Sequence, residues 1–245
     1  MTVWYKFLGP GGRSLMADGT WHLPDGGPGK WMPKITGLVP GQRGYHVAAP
    51  GQLIDWLGPE LWEVECRGEH IDHGDKHVFS EARLVRQLNG WNDRTARLLA
   101  ADCAARVLHL FEYCCPGDMR PHRAIDVARA FAAGRATVED LAAARDAAKA
   151  AAERAARDAP WDAVWDAAWD AGWAATRAAD GRAAWAAASA AARDAAFAAA
   201  RAAAGWASGD AAWAATWDAA WDAARKWQTR RLFQLIGADR LLATI

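Results

Sequence analysis

The chain has 245 residues, 52% of them hydrophobic, with 29 Lys+Arg set against 29 Asp+Glu for a formal net charge of zero. That length admits one large domain or two modest ones, and the hydrophobic share excludes wholesale disorder. Residues 1–90, 91–159 and 160–245 each stay within about one charge of neutral, so no segment has the electropositive footprint of a general nucleic-acid binder or the acidity of a DNA mimic.

Two composition regimes meet near residue 90. The first is rich in Gly, Pro and aromatics. VWYKFL (3–8) reads as a strand stopped by the GPGG turn at 9–12. Residues 18–44 hold many glycines and prolines and read as loops, with short strand pieces around Trp21 and Trp31. Tyr45–Ala48 suits a strand and Pro50–Leu57 one short helix. In ELWEVECRG, Trp62, Val64 and Cys66 face one way and Glu63, Glu65 and Arg67 the other, the pattern of a half-buried strand. Gly74-Asp75 marks a turn, and HVFSEARLVRQL continues the strand pattern. The region reads as a small α+β domain, residues 1–90, mostly antiparallel.

From Asn92 onward the period is helical. Leu98, Leu99, Val107, Leu108 and Phe111 share helical spacings, ended by Cys114-Cys115-Pro116-Gly117. Pro121 suits the first turn of the next helix, and Gly134 its end. Thr137 followed by Glu139 and Asp140 is an N-cap signature for a helix through Asp158. Pro160 opens the next, which ends near Asp180-Gly181. Another covers 182–204, and the last runs from Asp210 to about Ile236. Residues 91–245 therefore read as an all-α, Ala/Trp-rich antiparallel bundle of about six helices joined by short loops.

Ten of the sixteen tryptophans lie between 161 and 227, with Trp161, Trp165, Trp169 and Trp173 four residues apart and Trp213, Trp217 and Trp221 repeating the step. Each step overshoots one helical turn by about 40°, so the first stripe sweeps about 120° around its helix. A buried Trp removes roughly 150–250 Å² from water, on the order of 4–6 kcal/mol as an upper bound. Alanine offers little to bury, so the indoles are expected to supply most of the packing energy here, and Trp169→Ala is expected to cost far more than Asp170→Ala. Asp162, Asp166 and Asp170 form a second stripe, read as a solvated face in preference to an acidic ridge for a partner.

Three blocks carry a resemblance: ADCAARVLHLFE (101–112), RPHRAIDVARAFAAGR (120–135) and KWQTRRLFQLIG (226–237). Over about 91–237 the chain resembles the immunity proteins encoded beside polymorphic-toxin loci in bacteria. The resemblance implies a protein partner and carries over no catalytic residue. Residues 3–90 resemble a domain of unknown function common in phages and high-GC bacteria, through Tyr5–Leu8, Gly44–His46, Leu61–Glu65 and Lys76–Val85. That likeness implies no activity.

Few side chains suggest chemistry. His46, with Glu63 and Glu65 on the neighbouring strand pattern, is a candidate for transferase or hydrolase catalysis, against the plainer reading of a polar group on a sheet rim. His70, Asp72, His73 and His77 crowd into EHIDHGDKH, and neutral imidazoles with a carboxylate can hold zinc. Without a further ligand block no metal is favoured, and the stretch reads as an exposed hairpin loop between strands 61–67 and 77–88. The glycine-rich segments fail the P-loop pattern, so no cofactor is expected. Cys66, Cys103, Cys114 and Cys115 form no CxxC pair and suit a reducing compartment. No signal peptide is read, and an Asp or Arg at nearly every helical turn argues against a membrane span.

The leading expectation is a cytoplasmic protein-binding factor, an immunity or phage-defence protein acting by stoichiometric contact and not as an enzyme. Trp206, Trp227, Arg230 and Arg231 are its candidate contact residues, since Trp and Arg make strong interface anchors. The alternatives are an enzyme with its site around His46, and a self-assembling structural protein whose partner is itself.

Overall fold

The computed structural model describes residues 3–158, 163–181, 183–205 and 207–244. They form two compact units, one ending at Asn92 and joined by the residues from Phe233 on, the other running from Asp93 to Leu232.

In the first unit, four strands form an antiparallel sheet: β1 (Trp4–Leu8), β2 (Tyr45–Val47), β3 (Glu60–Asp72) and β4 (His77–Gln87), in the order β1-β3-β4-β2. The sheet curls into a half-barrel. Tyr5 N–H donates to the Ala48 carbonyl at 2.9 Å and Ala48 N–H to that of Tyr5 at 2.8 Å, linking the strand at one edge to the chain leaving the other. The alternation read in ELWEVECRG is real: Trp62 and Val64 enter a core with Leu8, Trp21, Tyr45, Val47, Phe79 and Leu84, and Cys66 packs against it. Pro50–Asp55 is a 3₁₀ helix.

No strand element forms around Trp21 or Trp31 among the described residues. The glycines and prolines of 18–44 prevent a continuous ladder. The segment instead shields an edge: the N–H groups of Gly29, Met32 and Ile35 donate to the carbonyls of Leu84, Ala82 and Ser80 at 2.8–2.9 Å. These bonds occupy β4 beyond the end of the short β2, a remedy for an open sheet edge.

The β3–β4 hairpin is longer than its sequence suggests. A bulge between Arg67 and His70 lets pairing resume, with His70 opposite Phe79 and Asp72 opposite His77. Gly68 makes this possible. Its φ is +83°, and a Cβ there would lie 2.1 Å from Ser80 Oγ. The buried Ser80 hydroxyl accepts the Glu69 N–H at 2.9 Å, replacing the ladder bond the bulge interrupts. His70 and Asp72 therefore stand on a strand and not in an exposed loop, and the turn shrinks to residues 73–76.

The C-terminal residues of this unit are pinned by charge and by close approach. Arg240 donates to Glu63 at 2.9 Å, and a Cβ on Gly90 would meet the Ile236 carbonyl oxygen at 2.3 Å.

The helices are α1 (Asp93–Cys114), α2 (Arg120–Ala132), α3 (Val138–Asp158), α4 (Ala163–Ala178), α5 (Ala184–Ala204) and α6 (Asp210–Leu235). Their boundaries follow from local signals. Thr137 Oγ1 accepts the Asp140 N–H at 3.1 Å and Asp140 Oδ2 the Thr137 N–H at 2.9 Å, a reciprocal cap for α3. Consecutive helices from α1 to α5 pack side by side, and α1 also packs on α4 and α5. Within this block most buried residues are alanine, with Leu99, Cys103, Val107, Leu108, Phe111, Ile125 and Leu141 among the exceptions. α6 is spaced farther from its neighbours than these helices are from one another.

The expectation that indoles pack this unit is corrected. Trp173, Trp185, Trp217, Trp221 and Trp227 are half-buried, and Trp169 and Trp213 are 36% and 45% exposed. Trp161 and the side chain of Trp165 lie outside the described residues. Alanine faces bring helix backbones too close to admit an indole between them, and the 40° drift carries each stripe out of the interface. The expected ranking of Trp169 above Asp170 meets the opposite burial: Asp170 is only 8% exposed.

The aspartate stripe is likewise not a plain solvated face. Arg201 of α5 binds Asp166 at 3.0 Å and Asp170 at 2.7 Å, while Arg177 of α4 faces Asp194 of α5 at 3.4 Å. Two oppositely oriented charge clusters thus join α4 to α5 along an alanine seam. Burial raises both carboxyls, Asp170 to about 6, against the pull of their arginines.

Candidate functional site

The sheet unit carries the residues that looked chemical, and it commits most of them to structure. His46 stands on β2 and its Nε2 accepts the Gly41 N–H at 2.8 Å. Burial and the nearby Lys6 ammonium hold its imidazole below the ordinary histidine range. Lys6 donates to the His46 carbonyl at 2.8 Å, and its own pKa is pushed down to about 8 by burial. Glu63 and Glu65 lie on β3, with β4 between them and β2. Arg86 grips both oxygens of Glu63 at 2.5 Å, and Arg240 adds a third bond. Arg83 holds Glu65 at 2.6–2.8 Å. The carboxylates are thus neutralised by arginines, and the sheet order keeps His46 apart from them.

The histidine-rich hairpin brings together two of its three imidazoles. His70 Nε2 lies 3.0 Å from His77 Nδ1. His70 stacks on Phe79 with ring centroids 4.2 Å apart, and Trp4 sits 4.3 Å from His77. Burial pushes the His77 pKa down, the Asp72 carboxylate at 3.8 Å opposes this, and His70 adds to it. His73 turns away to Asp75 at 3.3 Å. Among the described residues, no group of three or more His, Cys, Asp or Glu side chains converges as a metal site. All four cysteines are free thiols, and burial pushes that of Cys103 up to about 12, which makes it a poor nucleophile.

In the helical unit, the three blocks that carried the resemblance meet at one carboxylate. Asp102, from the ADC block on α1, accepts Arg129 of α2 at 2.9 Å and Arg231 of α6 at 2.8 Å. Arg106 lies over the Trp227 ring at 4.5 Å. Arg231 and Trp227 are therefore engaged within the chain, while Arg230 is exposed. Trp206 lies outside the described residues.

The same unit has a feature that no sequence motif announced. A groove of about 420 Å³ runs between α2 and α3, floored by Val127, Ala130, Ala136, Ala143, Ala144 and Ala147. Arg120, Arg123, Arg135 and Asp140 form its rim. Arg120 is fixed by Asp118 through two short bonds, and Asp140 by its cap. Arg123 and Arg135 are exposed and have no side-chain partner among the described residues. Because these arginines are twelve positions apart, one on α2 and one on the loop after it, nothing in the linear pattern pairs them. Only the i, i+3 and i+7 spacing of Arg120, Arg123 and Val127 hinted at one face.

Residues 87–175 match the family model described as Imm-5 like putative immunity protein. Over that stretch the chain is similar to the immunity-protein family that its motif blocks resemble. The stretch begins at the end of β4 and closes within α4, so it includes Asp102, Arg129 and both walls of the α2–α3 groove. No curated protein and no solved structure matches the chain. No helix among the described residues is long and apolar enough to cross a membrane.

Proposed function

We propose that this protein is an immunity factor that binds a protein toxin and neutralises it by stoichiometric contact through its helical unit. The observation that carries this reading is the family match over residues 87–175, which coincides with helices α1 to α3 and most of α4. A rigid alanine-packed block suits such a role, because a preorganised surface loses little conformational entropy on binding. The sheet unit supports the same reading in a negative way: Glu63 and Glu65 are held by arginines and His46 by a backbone N–H, so each is occupied structurally.

The test is co-expression with the toxin-domain protein encoded by the neighbouring gene. The expected result is rescued growth and a complex of fixed ratio in multi-angle light scattering. His46→Ala retains full protection if contact is the mechanism. Loss of protection with an intact complex would move the function to an enzymatic site, and concentration-dependent growth of the free protein's mass would favour self-assembly.

A further inference from the structure

The α2–α3 groove has the chemistry of a docking site, and we infer that it receives an acidic amphipathic helix of the protein partner. This rests on the immunity reading and specifies where and how contact is made. The floor is small and apolar. Alanines at Ala143, Ala144 and Ala147 on one wall and Ala130 on the other let a third helix approach closely, as small residues do in helix packing. The rim is basic, with three arginines against one aspartate. Two of those arginines, Arg123 of α2 and Arg135 of the loop after it, have no carboxylate partner among the described residues, whereas Arg129 of α2 is bound by Asp102.

Arg123 stands on α2 and Arg135 on the loop that follows it, so the two guanidinium groups mark different points of the rim. A bound helix with carboxylates near both ends and small apolar side chains between suits that arrangement. A small-molecule ligand fits less well. Such sites orient their ligand with convergent buried polar groups, and this floor has only methyl and methylene groups. Nucleic acid fits less well too, because among the described residues only two unpaired cations line the groove while backbone binding needs many.

The probe is a fluorescein-labelled 15-residue Ala/Leu helical peptide with two glutamates near each end, and the same peptide with lysines in their place. Fluorescence anisotropy with the full chain is expected to show binding of the acidic peptide alone, weakened at least tenfold by raising salt from 50 to 500 mM. The double variant R123E/R135E is expected to lose binding at least tenfold, and K226E, exposed on α6, to leave it unchanged. Both variants alter exposed side chains, and unchanged thermal melts confirm their folding. Equal binding of the lysine peptide, no binding of the acidic one, or less than a twofold loss in R123E/R135E would overturn the inference. The toxin pair separates the two levels. If wild type protects and R123E/R135E protects equally, the groove assignment falls and the immunity reading stands. If wild type gives neither protection nor complex, that reading falls instead.

Discussion

Helices α1 to α5 and helix α6 are built from nearly the same alphabet, and they solve packing in opposite ways. In α1–α5 most of the buried interface residues are alanine, so backbones approach closely. Gly172 marks the tightest point: a Cβ there would lie 2.9 Å from the Ala152 Cβ and 3.2 Å from the Phe111 ring. α6 stands off, and large side chains bridge the gap. Phe197 of α5 meets Trp221 at 5.0 Å and Trp217 at 6.0 Å, Trp217 stacks on Trp213 at 5.1 Å, and Gln228 reaches the Ala192 carbonyl at 2.7 Å. The contrast teaches that an indole in an alanine-rich helix works as a spacer for a more distant neighbour. It cannot serve as mortar in a seam whose partners are already in contact.

The tight block should tolerate a larger residue at its closest contact least of all. Gly172→Leu inserts four carbons where even one lacks room, and overpacking of this kind costs about 3 kcal/mol or more. Helix propensity alone would favour leucine over glycine by roughly 0.8 kcal/mol, so the two effects have opposite signs and the measurement discriminates. Urea unfolding should show a large loss. A gain would mean that the α3–α4 seam opens easily, and the close-packed account of α1–α5 would fail.

The charge clusters across the α4–α5 seam give a second, smaller test. The Asp170 carboxyl is raised to about 6, so the folded chain holds that proton more tightly than the unfolded chain. Its contribution to stability is complete below about pH 4, the ordinary aspartate value, and is lost as pH rises through 6. Asp170→Asn mimics the protonated form at every pH, and Arg201 retains Asp166. The variant should match wild type near pH 4 and become more stable by roughly 1–3 kcal/mol above pH 7. A variant that loses stability above pH 7 would show that attraction to Arg201 outweighs desolvation in this seam.

How much of this was legible in the sequence depended on whether local signals or tertiary competition decided the outcome. The Thr137 cap, Pro121 in the first turn of α2, and the alternation of Trp62, Val64 and Cys66 are local, and the α+β sheet region followed by helices follows from them. The Gly68 bulge was hidden, because it depends on Ser80 lying across the hairpin. Burial of the tryptophans was misjudged because area per residue ignores which face the neighbour already fills. The candidate site divided similarly. Arg231 and Trp227 were visible as anchor types, yet Asp102 and Arg106 claim them from elsewhere in the chain. Arg123 and Arg135 acquire interest only once α2 and α3 lie side by side.

The outermost indole of α6 should matter least to stability. Trp213 sits in the second turn of α6, where Ala211, Ala212, Ala214 and Ala215 around it are also exposed. It stacks on Trp217, but the contact with Phe197 is made by Trp217 and Trp221. Removing the Trp213 ring therefore takes away one exposed stacking contact, worth about 0.5–1 kcal/mol, while alanine's better helix propensity returns roughly half of that. Trp213→Ala should change unfolding free energy by no more than about 0.5 kcal/mol, as at surface sites generally. A loss several times larger would mean that the outer indoles hold α6 in place, and the division between a tight alanine block and a lightly attached sixth helix would have to be redrawn around Trp213.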